Sequence, residues 1–80
     1  QEIFMNIILK INKASRTPVY RQIINSVLAR IEEGSLSIGS PLPSINRLAG
    51  DYNLARETVV KAFKLLQEQG IISPGFFNHP

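Results

Sequence analysis

The 80-residue sequence contains no cysteine and a single histidine, which excludes a disulfide framework and a thiolate metal site. A reducing compartment is compatible with such a chain. Long apolar runs are also missing. The longest, near the start, is interrupted by Asn6 and Lys10 and falls well short of the ~20 residues that span a bilayer. Neither an anchor nor a signal peptide is expected there, since a basic start and a small-residue cleavage site are both lacking. No internal repeat, low-complexity segment, carboxylate pair, nucleophile beside a base or phosphate-cradling glycine loop can be assembled. The expected function is therefore not enzymatic.

What is present suits one small folded domain. Hydrophobic residues make up 44% and charged residues 19%, which is ordinary for a globular chain and unlike a disordered tail. The net charge of +3 is unevenly spread: all 9 basic residues lie between Lys10 and Lys64, against only four acidic ones, Glu32, Glu33, Asp51 and Glu57, leaving +5 there. That balance favours a polyanionic partner.

The expected fold is mainly α with a small β-hairpin. Residues 1–16 form an N-terminal arm, with branched apolar residues at 7–11 suited to a short strand. The first helix spans 17–34, with Thr17 as N-cap and Pro18 at the first helical position. Its apolar stripe is Tyr20, Ile23, Ile24, Val27, Leu28 and Ile31, and Gly34 stops it. Residues 35–42 carry too many breakers for a helix, and read as an ordered loop that turns Leu36 and Ile38 inward at alternate positions, with room for one strand bridge. A second, two-turn helix at 44–53 starts on Ser44, buries Leu48, Ala49 and Tyr52, and ends at Asn53, which tolerates the left-handed conformation. The third, at 55–70, buries Val59, Ala62, Phe63 and Leu66 and turns Glu57, Val60, Lys61, Lys64 and Glu68 outward. Residues 71–78 then read as two short strands about Pro74-Gly75.

Three helices followed by a hairpin make a winged helix-turn-helix. In that motif the second helix of the pair enters the major groove while the first crosses the DNA backbone, so the turn between them must be short. Here only Asn53 and Leu54 separate the two. The residues carrying the pattern are Pro18-Val19-Tyr20 with Gln22-Ile23, the glycines Gly34 and Gly39 leading to Leu42-Pro43-Ser44, then Leu48-Ala49, Arg56-x-Thr58-Val59 and Gly70-Ile71-Ile72. Together they resemble the GntR family of bacterial transcription regulators over roughly residues 18 to 73, and Val60-Lys61-Ala62, with the expected apolar strand before the Pro18-x-Tyr20 helix start, is most similar to the YtrA-type branch.

The resemblance implies DNA contacts from Ser44 and Arg47 at the start of the second helix, and from Arg56, Glu57, Thr58, Val60, Lys61 and Lys64 on the third, the recognition helix. The chain departs from the family pattern in three places. Ile45-Asn46-Arg47 replaces the frequent Glu-Arg-Glu, so that Asn46 holds the usual arginine position. A cation at Arg47 opposes the helix dipole, which suggests that it reaches a phosphate. Ala55 replaces a capping serine, a loss of about 1 kcal/mol that Glu57 in the first turn partly offsets. The wing lacks a basic glycine-rich tip, so either it is abbreviated or tip residues are missing from this sequence.

Plainer readings stand beside these. Arg56 is weighed as a base or phosphate contact against a solvated first-turn side chain. Lys61 is weighed against a surface ion pair with Glu57 at i, i+4, worth about 0.3 kcal/mol, and Lys64 with Glu68 likewise. Val60 meets a thymine methyl or is packed by the wing. Of Phe76 and Phe77 one is core, since adjacent strand residues face opposite ways, and His79 is a solvent residue.

The expected function is sequence-specific binding of double-stranded operator DNA by a regulator, a repressor acting as a homodimer. The rival is a winged helix used as a protein-interaction module. No cofactor or metal is expected in this domain and no membrane partner. Any small-molecule effector, and the part that dimerises, are expected outside these 80 residues, and the setting is the bacterial cytoplasm at the nucleoid.

Overall fold

The computed structural model describes residues 9–39 and 42–72. It holds three helices, α1 (Val19–Glu32), α2 (Ile45–Asp51) and α3 (Arg56–Glu68), with α1 and α2 each packed on α3. The described residues contain no strand: 9–11, 35–39 and 71–72 are all irregular or turns. The remainder of the expected N-terminal strand, and the wing from residue 73 with Pro74, Gly75, Phe76, Phe77 and His79, lie outside the described residues.

α1 starts one residue later than expected. Pro18 is its N-cap, with φ −57° and an extended ψ of 148°, and its carbonyl accepts the first helical bond from the Gln22 N–H at 3.1 Å. Thr17 therefore lies before the cap, and its own N–H donates to Ser15 Oγ. α2 starts on Ser44, as its sequence predicts: the Ser44 Oγ accepts from the Arg47 N–H at 3.1 Å. α3 starts after Ala55, which has no side-chain cap.

All three helices end in one way. Gly34, Asn53 and Gly70 follow the C-caps of α1, α2 and α3 with φ of 89°, 54° and 77°. Their N–H groups donate to the carbonyls of Ile31, Gly50 and Gln67, and the next N–H groups, of Ser35, Leu54 and Ile71, donate back to Arg30, Ala49 and Leu66. These are Schellman closures, each satisfying two carbonyls that the helix leaves without partners. In α2 the closure turns the chain so sharply that α3 begins at Arg56.

The core consists of Ile23, Ile24 and Val27 of α1, Leu48 of α2 and Val59, Ala62, Phe63 and Leu66 of α3, closed by Leu9, Leu42 and Ile72. α3 thus buries the face its periodicity predicts. Of the other residues expected to be buried, Tyr20, Ile31, Leu36, Ala49 and Tyr52 are half-buried and pack against this core, while two lie outside it. Leu28, on the margin of the α1 stripe, is 36% exposed, and Ile38 is 64% exposed. Strand-like alternation fails at Ile38 because Gly39 turns the backbone to φ +85° and spends its N–H on the Ile71 carbonyl, 2.9 Å away.

The segment before α1 folds back over the domain. The Gln22 amide, buried in α1, accepts from the Asn12 N–H at 2.6 Å and donates to the carbonyls of Asn12 at 2.9 Å and Thr17 at 2.8 Å. Bonds of this kind contribute about 1 kcal/mol each once the amide is out of water. From this anchor the segment reaches the turn between α2 and α3: the Tyr52 hydroxyl accepts from the Leu9 N–H at 3.0 Å, and Lys13 Nζ donates to the Asn53 carbonyl at 2.6 Å.

Candidate nucleic-acid interface

α3 is held from behind on both sides, so its first two turns project a fixed surface. Arg56 is its first residue, and Glu57, Thr58, Val60, Lys61 and Lys64 follow on the side away from Val59, Ala62, Phe63 and Leu66. Arg56, Glu57, Lys61 and Lys64 are exposed, while Thr58 and Val60 are half-buried at the border with the core. The Thr58 N–H closes on the Ala55 carbonyl at 3.0 Å.

α2 supplies the second strip. Ser44 is exposed but its Oγ is engaged as the α2 cap. Arg47 pairs through Nε with Asp51 Oδ2 at 3.4 Å, one turn along the same helix, and both side chains are more than half exposed. Such a pair contributes at most about 1 kcal/mol, so Arg47 can exchange Asp51 for a phosphate at little cost. Between these strips the Arg56 Nε donates to Asn46 Oδ1 at 2.8 Å. Asn46 thus accepts from the cation of the facing helix.

Lys61 does not form the surface ion pair that its spacing from Glu57 allows. No ion pair joins it to Glu57, or Lys64 to Glu68, among the described residues. Instead Lys61 Nζ lies 4.2 Å from the centroid of the Tyr20 ring of α1, which also has the Arg21 guanidinium at 5.8 Å. Tyr20 and Asn46 therefore belong to the surface although the sequence reading left both out. Tyr20 reads as a core residue of the α1 stripe, and nothing in helical spacing announces which side chain of another helix will lie across it.

A shallow polar groove of about 490 Å³ runs along the far side of α1, lined by Lys10, Asn12, Gln22, Asn25, Ser26 and Arg30 among others. It marks the seam where the N-terminal segment is bonded to the helix and shares no residue with the α2–α3 surface. Among the described residues no three acidic, histidine or cysteine side chains come together as metal ligands, and no helix is long and apolar enough to cross a membrane.

Known proteins share both the pattern and the fold. Residues 19–73 match the family described as bacterial regulatory proteins, gntR family. An HTH-type transcriptional repressor of Salmonella typhimurium is 37% identical over 65 residues, 81% of this chain and 27% of its own length. The HTH-type transcriptional repressor YtrA of Bacillus subtilis is 38% identical over 64 residues, 80% of this chain and 49% of its own. The chain thus spans half or less of the length of these relatives. Among solved structures, YtrA from Sulfolobus acidocaldarius, a GntR-family transcription factor, superposes with a TM-score of 0.74 at 33% identity, covering 89% of this chain and 86% of that one.

Proposed function

Since the chain belongs to the gntR family of bacterial regulatory proteins and carries its DNA-binding helix-turn-helix domain, we propose that it binds double-stranded operator DNA sequence-specifically, with α3 in the major groove and α2 across the backbone. The observation that carries this reading is the presentation of Arg56, Lys61 and Lys64 on the exposed face of α3, with Arg47 beside them on α2. Arg56, at the N-terminal end of α3, reads a base edge, and Arg47 neutralises a phosphate. Ser44, Glu57, Thr58 and Val60 line the same surface.

The finer parts of the proposal concern the whole regulator. Residues 71–78 complete the domain as a short wing. The longer protein acts as a homodimeric repressor without catalytic activity in the cytoplasm, and a small-molecule effector, where one exists, binds outside this domain. The relatives named as repressors support the repressor part of this reading.

A salt titration of binding to duplex DNA tests the central claim. Each phosphate neutralised adds about −0.9 to the slope of log K against log salt, so Arg47 and Lys61 at phosphates, with the Arg56 charge lying beside one as it reads its base, give a slope steeper than about −2. A flat titration would remove the DNA reading and leave a protein-interaction module, for which a cationic α3 face has no such signature.

A further inference from the structure

The bond between Arg56 and Asn46 joins the two exposed helices at the point where the recognition surface begins. The residues are ten apart in sequence and both exposed, so burial does not force the contact. Its polarity is settled by chemistry: Arg56 Nε–H is a donor only, so the amide must turn its oxygen to it. Of the five guanidinium donors one is then occupied, and the plane of the group is tied to the start of α2. The remaining fork of Nη1 and Nη2 is left for a ligand. That planar, end-on pair of donors matches the O6 and N7 acceptors of guanine in the major groove.

We infer that Asn46 is a positioning residue for base recognition, holding Arg56 by its Nε so that the terminal Nη pair reads one guanine in each half-site. This rests on the DNA reading above and deepens it. A long side chain free to sample its rotamers would spread its donors over phosphates and several bases. Anchored at Nε, it is committed to one plane before DNA arrives. Asn46 carries no charge, so its contribution falls on discrimination between bases and not on the electrostatic part of affinity.

The test is selection from randomised duplexes by the 80-residue chain, with salt slopes and melting temperatures measured for the same proteins. The wild type should enrich guanine at one half-site position, and Arg56→Ala should lose that preference. Asn46→Ala should reduce the guanine preference at that position by about 5- to 10-fold, the low end of the range typical of a bidentate contact. Its preferences elsewhere, salt slope and melting temperature should remain. Asn46→Asp retains an acceptor for Nε, so it should keep the guanine preference while its added negative charge lowers affinity for all sequences. In the Arg56→Ala background, Asn46→Ala should change selectivity no further. Full guanine preference in Asn46→Ala, or an equal loss at every position, would overturn the proposal while leaving DNA binding intact. A wild type that binds no duplex would overturn the DNA reading itself.

Discussion

Lys61 Nζ stands 4.2 Å from the centre of the Tyr20 ring, so a cation on the exposed face of α3 rests on an aromatic side chain of α1. The contact lies well within the ~6 Å over which a ring quadrupole attracts an ammonium group, and at a partly exposed site it contributes about 0.5–1 kcal/mol. It also orders the Lys61 stem, so that a charge on the exposed face of α3 is held near α1.

A double-mutant cycle with Tyr20→Leu and Lys61→Ala should therefore show a coupling of about 0.5–1 kcal/mol in chemical denaturation. Tyr20→Phe, which keeps the ring, should keep most of it. Strict additivity of the two substitutions would mean that the ring and the ammonium do not interact in solution.

Such contacts mark the boundary of what could be read in advance. Helix ends were legible because their causes are local. Gly34, Asn53 and Gly70 each adopt positive φ just past a C-cap, and Ser44 caps its own helix. The buried face of α3 was legible because a 3.6-residue period writes it into the chain. Gln22, Tyr20 and Asn46 were not, because their partners depend on how the helices cross and where the N-terminal segment returns. Periodicity assigns a side chain to a face without saying what covers that face. Ile38 failed for a nearer reason, since a turn at Gly39 cancels the alternation that would have buried it. Of the surface proposed to meet DNA, the sequence thus supplied the cations, and the structure added the groups that hold two of them.

Ala55→Ser should stabilise the domain by about 0.5–2 kcal/mol. Ala55 has φ −65° and ψ 137° with no side-chain cap, close to the φ −64° and ψ 159° at which Ser44 caps α2. A hydroxyl in that backbone conformation is placed to accept from an N–H in the first turn of α3, where the residue at the cap supplies no side-chain acceptor. Thermal denaturation measures the gain. Ser44→Ala provides the reciprocal change and should cost about 1 kcal/mol. An unchanged melting temperature for Ala55→Ser would show that the first turn of α3 already has its acceptor.

Arg47 and Arg56 should respond differently to truncation. Arg47 sits opposite Asp51 in an exposed pair, and its loss should weaken binding to all duplexes about equally and reduce the salt slope by about 1. Arg56→Ala should cost about 1–3 kcal/mol on the preferred site and relax base preference there. Binding measured on a preferred and a scrambled duplex separates the two outcomes. If both variants lose affinity uniformly, Arg56 contacts phosphate alone.

The chain should be mainly monomeric, and its affinity for a single half-site correspondingly weak. Among the described residues the exposed large apolar side chains are Leu28 and Ile38, far too little for the ~1,200 Å² or more that a stable protein interface buries. Leu9 does not add to them, because it is 5% exposed and belongs to the core. Joining two copies raises the effective concentration of the second at its half-site, about one helical turn away, and commonly multiplies affinity ~100-fold or more without a new contact. Fusion to an unrelated dimerising coil should therefore produce tight operator binding, while a half-site duplex gains little from the fusion. Sedimentation of the unfused chain is the control. A stable dimer there would place an interface on residues outside those described, with Ile3, Phe4 and Ile7 the apolar candidates, and the coil would then add nothing to affinity.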